Sequence, residues 1–375
     1  MKVVLQIKLL PDEIQHAALK DTMRVFNEAC NFIAEVAFRE QCASKFVLQK
    51  RVYDDVRKQF GLSAQLTIRA IAKVVEAYKR DKSKHCFFRP TGAVVYDQRI
   101  LSFKGLEAAS ILTLQGRLTI PMHMGEYQRL KMGRGHGQAD LVLVDGVFYL
   151  LLVIETPTAP PIDPKDFIGV DLGIVQIASD SDGESFSGET VENTRRRYHE
   201  LRKALQARGS RSARRHVQRI RRKESRFRRN QNHVISKKLV EKAKDTGRGI
   251  KLENLKHIRE RTTVRKSDRA KHSGWSFFQL QSFIDYKAKR EGVVVQYVDP
   301  RNTSRRCAIC GHTEKANRKT QSRFHCVSCG QVANADKNAA INIAAPAHVN
   351  EPIVAHDDNN GGFRVQPQAP SFRAG

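Results

Sequence analysis

The 375-residue sequence predicts an α/β domain preceded by a β-rich domain that carries a helical insertion. Three observations carry that reading. Apolar residues recur at helical steps up to about residue 80, then fall into short β-branched segments, then into apolar strands alternating with helices. Two of the later strands each hold a single acid, Asp171 and Glu253. Close to the C-terminus stand two Cys-x-x-Cys pairs.

In chain order, residues 1–10 alternate like a strand, and Pro11-Asp12-Glu13 opens a helix, with proline in the first turn and acids near its positive end. Ala17, Leu19, Met23, Phe26, Ala29, Phe32, Ile33, Val36 and Ala37 follow three- and four-residue steps, and residues 47–60 and 63–78 continue in that style. After Arg89-Pro90-Thr91-Gly92 the segments 94–104, 108–120 and 140–154 read as strands, with a hairpin turn at Val144-Asp145-Gly146-Val147. Four prolines between Pro157 and Pro164 make a linker. Beyond it, residues 167–178 are expected to form one continuous apolar strand carrying Asp171, which Ser181-Asp182-Gly183-Glu184 turns into a second strand. Residues 195–229 are dominated by arginine and lead to a helix around 233–244. Residues 249–255 form a buried strand bearing Glu253. A helix holding Trp275, Phe277, Phe278, Leu280, Phe283 and Ile284 comes next, then a strand at 293–298, the cysteine region, and a short helix from 336. The tail past 346 has little apolar periodicity and is expected to be disordered.

Charge narrows the class of partner. Sixty-six lysines and arginines against 39 acids give a net charge of +27, which makes a compact state repel itself unless a polyanion binds. Nucleic acid is the leading candidate, because each neutralised phosphate releases condensed counterions. A run of some eighteen apolar residues, which a spanning helix needs, is absent, and the N-terminus lacks a signal-peptide core. The expected location is the cytoplasm. Cys30, Cys42 and Cys86 are scattered and read as small buried apolar residues.

The other four cysteines follow a zinc spacing. Cys307 and Cys310 are separated from Cys326 and Cys329 by fifteen residues, which fits a structural Cys₄ site holding one Zn²⁺. His325 adjoins this set, but four thiolates already complete a tetrahedron. Seven residues past Cys329 comes Asp336.

Asp171, Glu253 and Asp336 form the candidate catalytic set. A carboxylate buried without a partner in an apolar strand costs several kcal/mol, and hard divalent cations such as Mg²⁺ remove that cost by taking carboxylate oxygens. Three carboxylates from distant segments suit two Mg²⁺ ions and in-line phosphodiester displacement. Each acid also has a plainer reading. Asp171 before Gly173 would shape a strand end or contact phosphate in an actin-like ATPase, Glu253 would face solvent, and Asp336 with Asn334 would cap a helix. The succession of hairpin, basic helices, strand, helix, strand and helix is compatible with a ribonuclease H-like core.

Several motifs resemble those of the TnpB family, the RuvC-like nucleases of bacterial and archaeal insertion sequences, related to type V CRISPR effectors. They are Gly169-Val170-Asp171-Leu172-Gly173, Leu252-Glu253-Asn254-Leu255, Asn302-Thr303-Ser304 before Cys307, Phe324-His325-Cys326 with Cys329-Gly330, and Ala335-Asp336-Lys337-Asn338-Ala339-Ala340. Gly274-Trp275-Ser276-Phe277 and Tyr286-Lys287-Ala288 are similar in style. The resemblance covers roughly residues 165–345 and is weaker before them. It implies a wedge-like β-barrel at 1–10 and 90–160, a helical recognition insertion at 11–89, a RuvC-like core at 165–300, a zinc ribbon at 301–333, a last RuvC-like segment at 334–346 and a tail at 347–375. The implied activity is RNA-guided cleavage of double-stranded DNA beside a short flanking motif. Asp171, Glu253 and Asp336 would be the Mg²⁺ ligands, and the partners a guide RNA from the transposon end and the target DNA, with a monomer favoured. A silent DNA-binding repressor and an unguided nuclease or transposase are the alternatives. Arg195, Arg196, Arg197, Arg202, Lys203, Arg214, Arg215, Arg219, Arg222, Arg226 and Arg229 are the candidate nucleic-acid contacts, because guanidinium forks match phosphate oxygens and few acids are interleaved.

Overall fold

The computed structural model describes residues 1–132, 136–255, 276–345, 355–356 and 364–365. Gly274 and Trp275 lie outside the described residues. So does the expected disordered tail, apart from the two-residue strands Ala355–His356 and Arg364–Val365. The chain divides into two compact units, Met1–Pro157 and Thr158–Gly375, within the proline-rich stretch.

The first unit is a seven-stranded antiparallel sheet with helices. Its strands are β1 (Lys2–Leu9), β2 (Val94–Tyr96), β3 (Leu101–Lys104), β4 (Ala108–Thr113), β5 (Gly116–His123), β6 (His136–Val144) and β7 (Val147–Glu155), in the order β2-β6-β7-β1-β5-β4-β3. Leu5, Ile7 and Leu9 alternate inward along β1, as period-two patterning requires. The β6–β7 hairpin turns on Asp145 and Gly146, both at positive φ (54° and 81°), the twist that matches right-handed strands. At the far end of β2 the Tyr96 hydroxyl donates to the Leu112 carbonyl on β4, drawing the two ends of the sheet together into a nearly closed barrel.

Three helices fill the segment between β1 and β2: α1 (Glu13–Arg39), α2 (Lys45–Phe60) and α3 (Ala64–Arg80). Asp12 and Gln15 close a capping box at the start of α1, and the Ser63 hydroxyl accepts from Leu66 N–H at the start of α3. Leu19, Met23, Phe26 and Ile33 on α1 share one buried cluster with Leu66, Ile71 and Val74 on α3. A short helix the sequence reading did not anticipate, α4 (Glu126–Met132), follows β5.

The second unit is built on a mixed five-stranded sheet of β8 (Phe167–Asp171), β9 (Gln176–Asp180), β10 (Ser185–Ser187), β11 (Gly249–Glu253) and β12 (Val295–Val298), ordered β10-β9-β8-β11-β12. The single strand expected at 167–178 is instead a hairpin. Strand β8 stops at Asp171, the chain reverses through Leu172–Val175, and β9 returns antiparallel with Asp171 opposite Ser179. An apolar run does not reveal a reversal made by Gly173, whose N–H reaches the Ile177 carbonyl. Strands β8, β11 and β12 are parallel, so Asp171 and Glu253 end neighbouring strands at the same edge.

The arginine-rich segment forms two long helices, α5 (Glu189–Arg208) and α6 (Arg211–Asp245), joined at Gly209 (φ 64°) and Ser210, which caps α6. The helix expected at 233–244 is therefore the second half of α6, whose Ile235, Leu239, Val240 and Ala243 pack on the sheet. Helix α7 (Phe277–Glu291) precedes β12, and α8 (Ala335–Ala344) lies on β8.

The approach of α8 to β8 is close enough to dictate a residue. A Cβ on Gly169 would stand 2.0 Å from the Ala340 carbonyl oxygen and 2.4 Å from the Ala344 nitrogen, both backbone atoms. Only glycine fits. Gly169→Ala is expected to lower stability by about 1–3 kcal/mol, the usual cost of overpacking a tight core; a urea melt of the purified variant indistinguishable from wild type would contradict this contact.

Candidate functional site

Three elements converge at the C-terminal edge of the β8–β11 pair. Asp171 ends β8, Glu253 ends β11, and Asp336 stands in the first turn of α8. In open α/β sheets that edge is where a crevice forms. Main-chain contacts hold each acid. The Leu172 amide bonds to the Asp171 carboxylate. The Glu253 carbonyl accepts from Gln281 Nε2 on α7 at 2.7 Å. Asn334 accepts from the Asp336 and Lys337 amides and fixes the start of α8, so the capping role belongs to Asn334 and leaves the Asp336 carboxylate to face the other acids.

The electrostatics are those of acids gathered without enough counter-charge. Burial first, then the charge of Asp336, pushes the Asp171 carboxyl up to about 6. Burial first, then the charge of Asp171, pushes Glu253 up to about 8. Arg318 opposes this for both acids. Its Nη2 donates to Asp336 Oδ1 at 2.9 Å and to the Gln321 carbonyl at 2.8 Å. Carboxylates that hinder one another's ionisation in this way, fixed from three directions, are a donor set fit for a hard divalent cation.

Neither Arg318 nor Thr303, whose hydroxyl donates to Glu253 Oε1, was recognised from sequence as part of this site. In a chain with 66 basic residues a single arginine carries no local signal. Lys251 was missed as well. Buried inside β11, it donates to the Ala344 and Ala345 carbonyls and so caps the C-terminus of α8. Asn338 and Asn342, to which the sequence reading also gave no role, lie one turn apart among the buried residues of α8. Asn338 accepts from the Ala308 amide and donates to the Arg306 carbonyl, and Asn342 donates to the carbonyls of Thr303 and Arg306.

Those partners belong to the cysteine region. The four Sγ atoms of Cys307, Cys310, Cys326 and Cys329 lie within 4.8 Å of one another; among the described residues this is the cluster of metal-ligating groups drawn to that distance. The two halves repeat one geometry. Cys307 N–H bonds to His312 O and Cys326 N–H to Gln331 O, while Gly311 and Gly330 turn the chain at φ 76° and 75°. Strands β13 (Arg323–His325) and β14 (Val332–Asn334) form the hairpin beneath the second pair. The Cys329 amide donates to the Cys326 sulfur at 3.5 Å, holding that thiol in place. The set is compatible with a structural zinc. His325 stands on β13 beside this complete set of four thiols.

The candidate nucleic-acid contacts lie on the α5–α6 hairpin. Arg197, Lys203, Arg214, Arg215, Arg219, Arg222, Arg226 and Arg229 are exposed. Arg195 and Arg196 share Glu192, and Arg202 is paired with Glu224 across the hairpin. Arg195, Arg196 and Arg202 are thus engaged internally, against the expectation of few acid partners.

Two family models match the chain, "Probable transposase" over residues 151–259 and "Cas12f1-like, TNB domain" over 277–343. The chain is 34% identical over 207 residues to the CRISPR-associated endodeoxyribonuclease Cas12f1 of Sulfoacidibacillus thermotolerans, covering 51% of this chain and 48% of that protein. It is 30% identical over 225 residues to the putative RNA-guided DNA endonuclease InsQ of Escherichia coli K12, covering 54% of each. It is 38% identical over 112 residues to the TnpB-like protein MJ0751 of Methanocaldococcus jannaschii, covering 30% of this chain and 40% of that one. The chain thus spans about half the length of the curated relatives it matches. A Cas12f1 chain in a cryo-EM complex with sgRNA and target DNA shares its fold at a TM-score of 0.62 and 15% identity, covering 88% of this chain and 83% of that one. None of the described helices is long and apolar enough to cross a membrane.

Two measurements check this description. Both acids have folded pKa values raised above the ordinary 3.8 and 4.5, so the stability they contribute is full below those values and lost as pH climbs through about 6 and about 8. In chelator, Glu253→Gln is therefore expected to melt above wild type at pH 8 and to match it near pH 4; a lower melting temperature at pH 8 would refute the burden assigned to Glu253. Cys307→Ser is expected to lose the stoichiometric zinc that elemental analysis finds in the wild type, and retention of full zinc would remove Cys307 from the site.

Proposed function

We propose that the chain, whose C-terminal half is similar to TnpB-like and Cas12f1-like proteins, is a TnpB-family, RNA-guided, Mg²⁺-dependent endonuclease acting on double-stranded DNA. The observation that carries the proposal is the placing of Asp171 and Glu253 at one strand edge with Asp336 at the start of α8, where the charge of Asp336 hinders the ionisation of Asp171 and that of Asp171 the ionisation of Glu253. Such an arrangement is costly for stability and fits a cation-binding role. In this reading the sheet and α8 form a ribonuclease H-like core of the RuvC type, and the first unit is the wedge-like barrel with its recognition helices. Mg²⁺ held by the three carboxylates would supply charge neutralisation and a water of lowered pKa for in-line attack on a phosphodiester.

The chain's own residues do the rest. Gln281 and Thr303 fix Glu253 at both its carbonyl and its carboxylate. Arg318 holds Asp336 and supplies positive charge beside the other two acids. A guanidinium there suits the charge that builds on phosphate oxygens during displacement. The exposed arginines of α5 and α6 would carry guide RNA or target DNA by phosphate contact. The cysteine quartet, loaded with one zinc, would hold the segment that presents Arg318 and the start of α8.

The test uses the protein purified with RNA from its own locus, Mg²⁺ and a plasmid library with the guide-matched target beside randomised flanks. Wild type is expected to cut the subset sharing one short flank, and Asp171→Ala, Glu253→Ala and Asp336→Ala to bind without cutting. Bound but uncut plasmid in the wild type would overturn the nuclease reading, and cutting indifferent to the guide would overturn the guided one. Binding should also fall steeply with salt; a flat plot of log K against log salt would take the α5–α6 arginines off the nucleic acid.

A further inference from the structure

We propose that Thr303 is a positioning residue for Glu253, holding one carboxylate oxygen so that the other is presented to the divalent cation. The inference rests on the reading of Glu253 as a cation ligand and adds to it a residue that fixes how that ligand is offered. Thr303 is 2% exposed, in the turn that leaves β12 and leads to the first cysteine pair. Its hydroxyl has one proton and two acceptors in reach, Glu253 Oε1 and the Pro300 carbonyl at 3.1 Å. A carboxylate is the stronger acceptor, so the proton goes to Glu253. With Oε1 committed to Thr303 and the Glu253 carbonyl committed to Gln281, rotation of the carboxylate is opposed from both ends of the residue.

Thr303 is itself tied to the opposite side of the site. Its carbonyl accepts from Asn342 Nδ2 at 2.8 Å, on the helix whose first turn carries Asp336. The same Asn342 nitrogen bonds to Arg306 O, next to Cys307. The positions of Glu253 and Asp336 are thus linked through two residues, Thr303 and Asn342, and the link runs beside the start of the cysteine ribbon. The turn is set by Asn302, at φ 65°, whose carbonyl accepts from the amides of Arg305 and Arg306. A hydrogen bond kept only for packing would leave cation affinity unchanged when removed. A bond that orients a ligand would not.

The full chain with its RNA is compared as wild type, Thr303→Val, Thr303→Ser and Glu253→Ala. Valine keeps the shape and loses the proton; serine keeps the proton and loses the methyl group. Melting temperature is followed as Mg²⁺ is added, which reads binding without cleavage, and cleavage rate is measured alongside at saturating Mg²⁺. Thr303→Val is expected to raise the half-saturating Mg²⁺ by about 10–100-fold, the usual loss when a group orienting a metal ligand is removed, with Thr303→Ser restoring it. A Thr303→Val curve matching wild type would overturn the proposal. So would Thr303→Ser sharing the valine defect, since the methyl group and not the proton would then matter. A wild type whose melting temperature ignores Mg²⁺, as Glu253→Ala is expected to do, would instead overturn the cation reading of the site itself.

Discussion

The close contact between α8 and β8 at Gly169 is the constraint on which the rest of the second unit depends. It brings the first turn of a helix formed after the cysteine ribbon to the end of a strand formed some 165 residues earlier in the chain. The helix is fixed at three points along its length. Asn334 caps its N-terminus, Gly169 lets its middle and end lie against the strand, and Lys251 accepts the burden of its terminal carbonyls. Lys251 is itself buried, over the ring of Phe167, and burial lowers its pKa. A buried lysine is tolerated there because two carbonyls and a ring face replace the water it loses. Small residues on α8, Ala335, Ala339 and Ala340, complete the fit.

That docking explains how Asp336 is kept beside Asp171, and Asp171 beside Glu253, against the repulsion of their charges. Coulombic repulsion between carboxylates at the β8–β11 edge favours separation, and protonation or a cation relieves it. Arg318 is a partial remedy, supplied by the ribbon and not by the sheet. Asn338 and Asn342 bind the ribbon backbone to α8, while Asn317 donates to the carbonyls of Arg305 and His312 and accepts from the Val327 amide. The ribbon is therefore continuous with the acid site through hydrogen bonds. Loss of order at the cysteines would be felt at Asp336 and Glu253 before it reached the sheet core of Ile168, Val170, Ile250 and Leu252.

Much of this was legible in the sequence, for identifiable reasons. Period-two alternation marked β1, the Asp-Gly pair marked the β6–β7 turn, and the cysteine spacing marked the quartet that the structure gathers. Asp171 and Glu253 were marked as single acids in apolar strands, and Asp336 by its place seven residues past the last cysteine. What stayed hidden depends on residues far apart in the chain. Gly173 makes a reversal inside an apolar run, which periodicity reads as continuous strand. Lys251 drew no attention inside a strand read as buried, and only the helix arriving from residue 335 makes it a cap. Arg318 and Thr303 acquire meaning from the carboxylates they touch. The arginine segment read as basic helices, but the seam that pairs them was hidden because it is sparse: Leu205, Ala213 and Ile220 are its buried members, with Tyr198, Leu201 and Val217 partly covered.

That sparse seam has a consequence for the basic hairpin. Burying a few aliphatic side chains supplies on the order of several kcal/mol, while like charges one turn apart each cost about 0.2–0.5 kcal/mol. Arg215, Arg219, Arg222, Arg226 and Arg229 follow one another at three- and four-residue steps along α6, so the repulsion accumulates along one face. The pairs Arg195–Glu192 and Arg202–Glu224 offset some of it near the seam. The half of α6 beyond residue 232 is anchored by the sheet core and by Lys287, which donates to the His233 carbonyl and the Ser236 hydroxyl. The half before it packs on α5 through the sparse seam, and Phe227 and Arg228 near its end line a cavity with Ile174, Phe277 and Leu280. A polyanion laid along that face would remove the repulsion and leave the seam intact, so the hairpin should gain order from its ligand where the sheet does not need it.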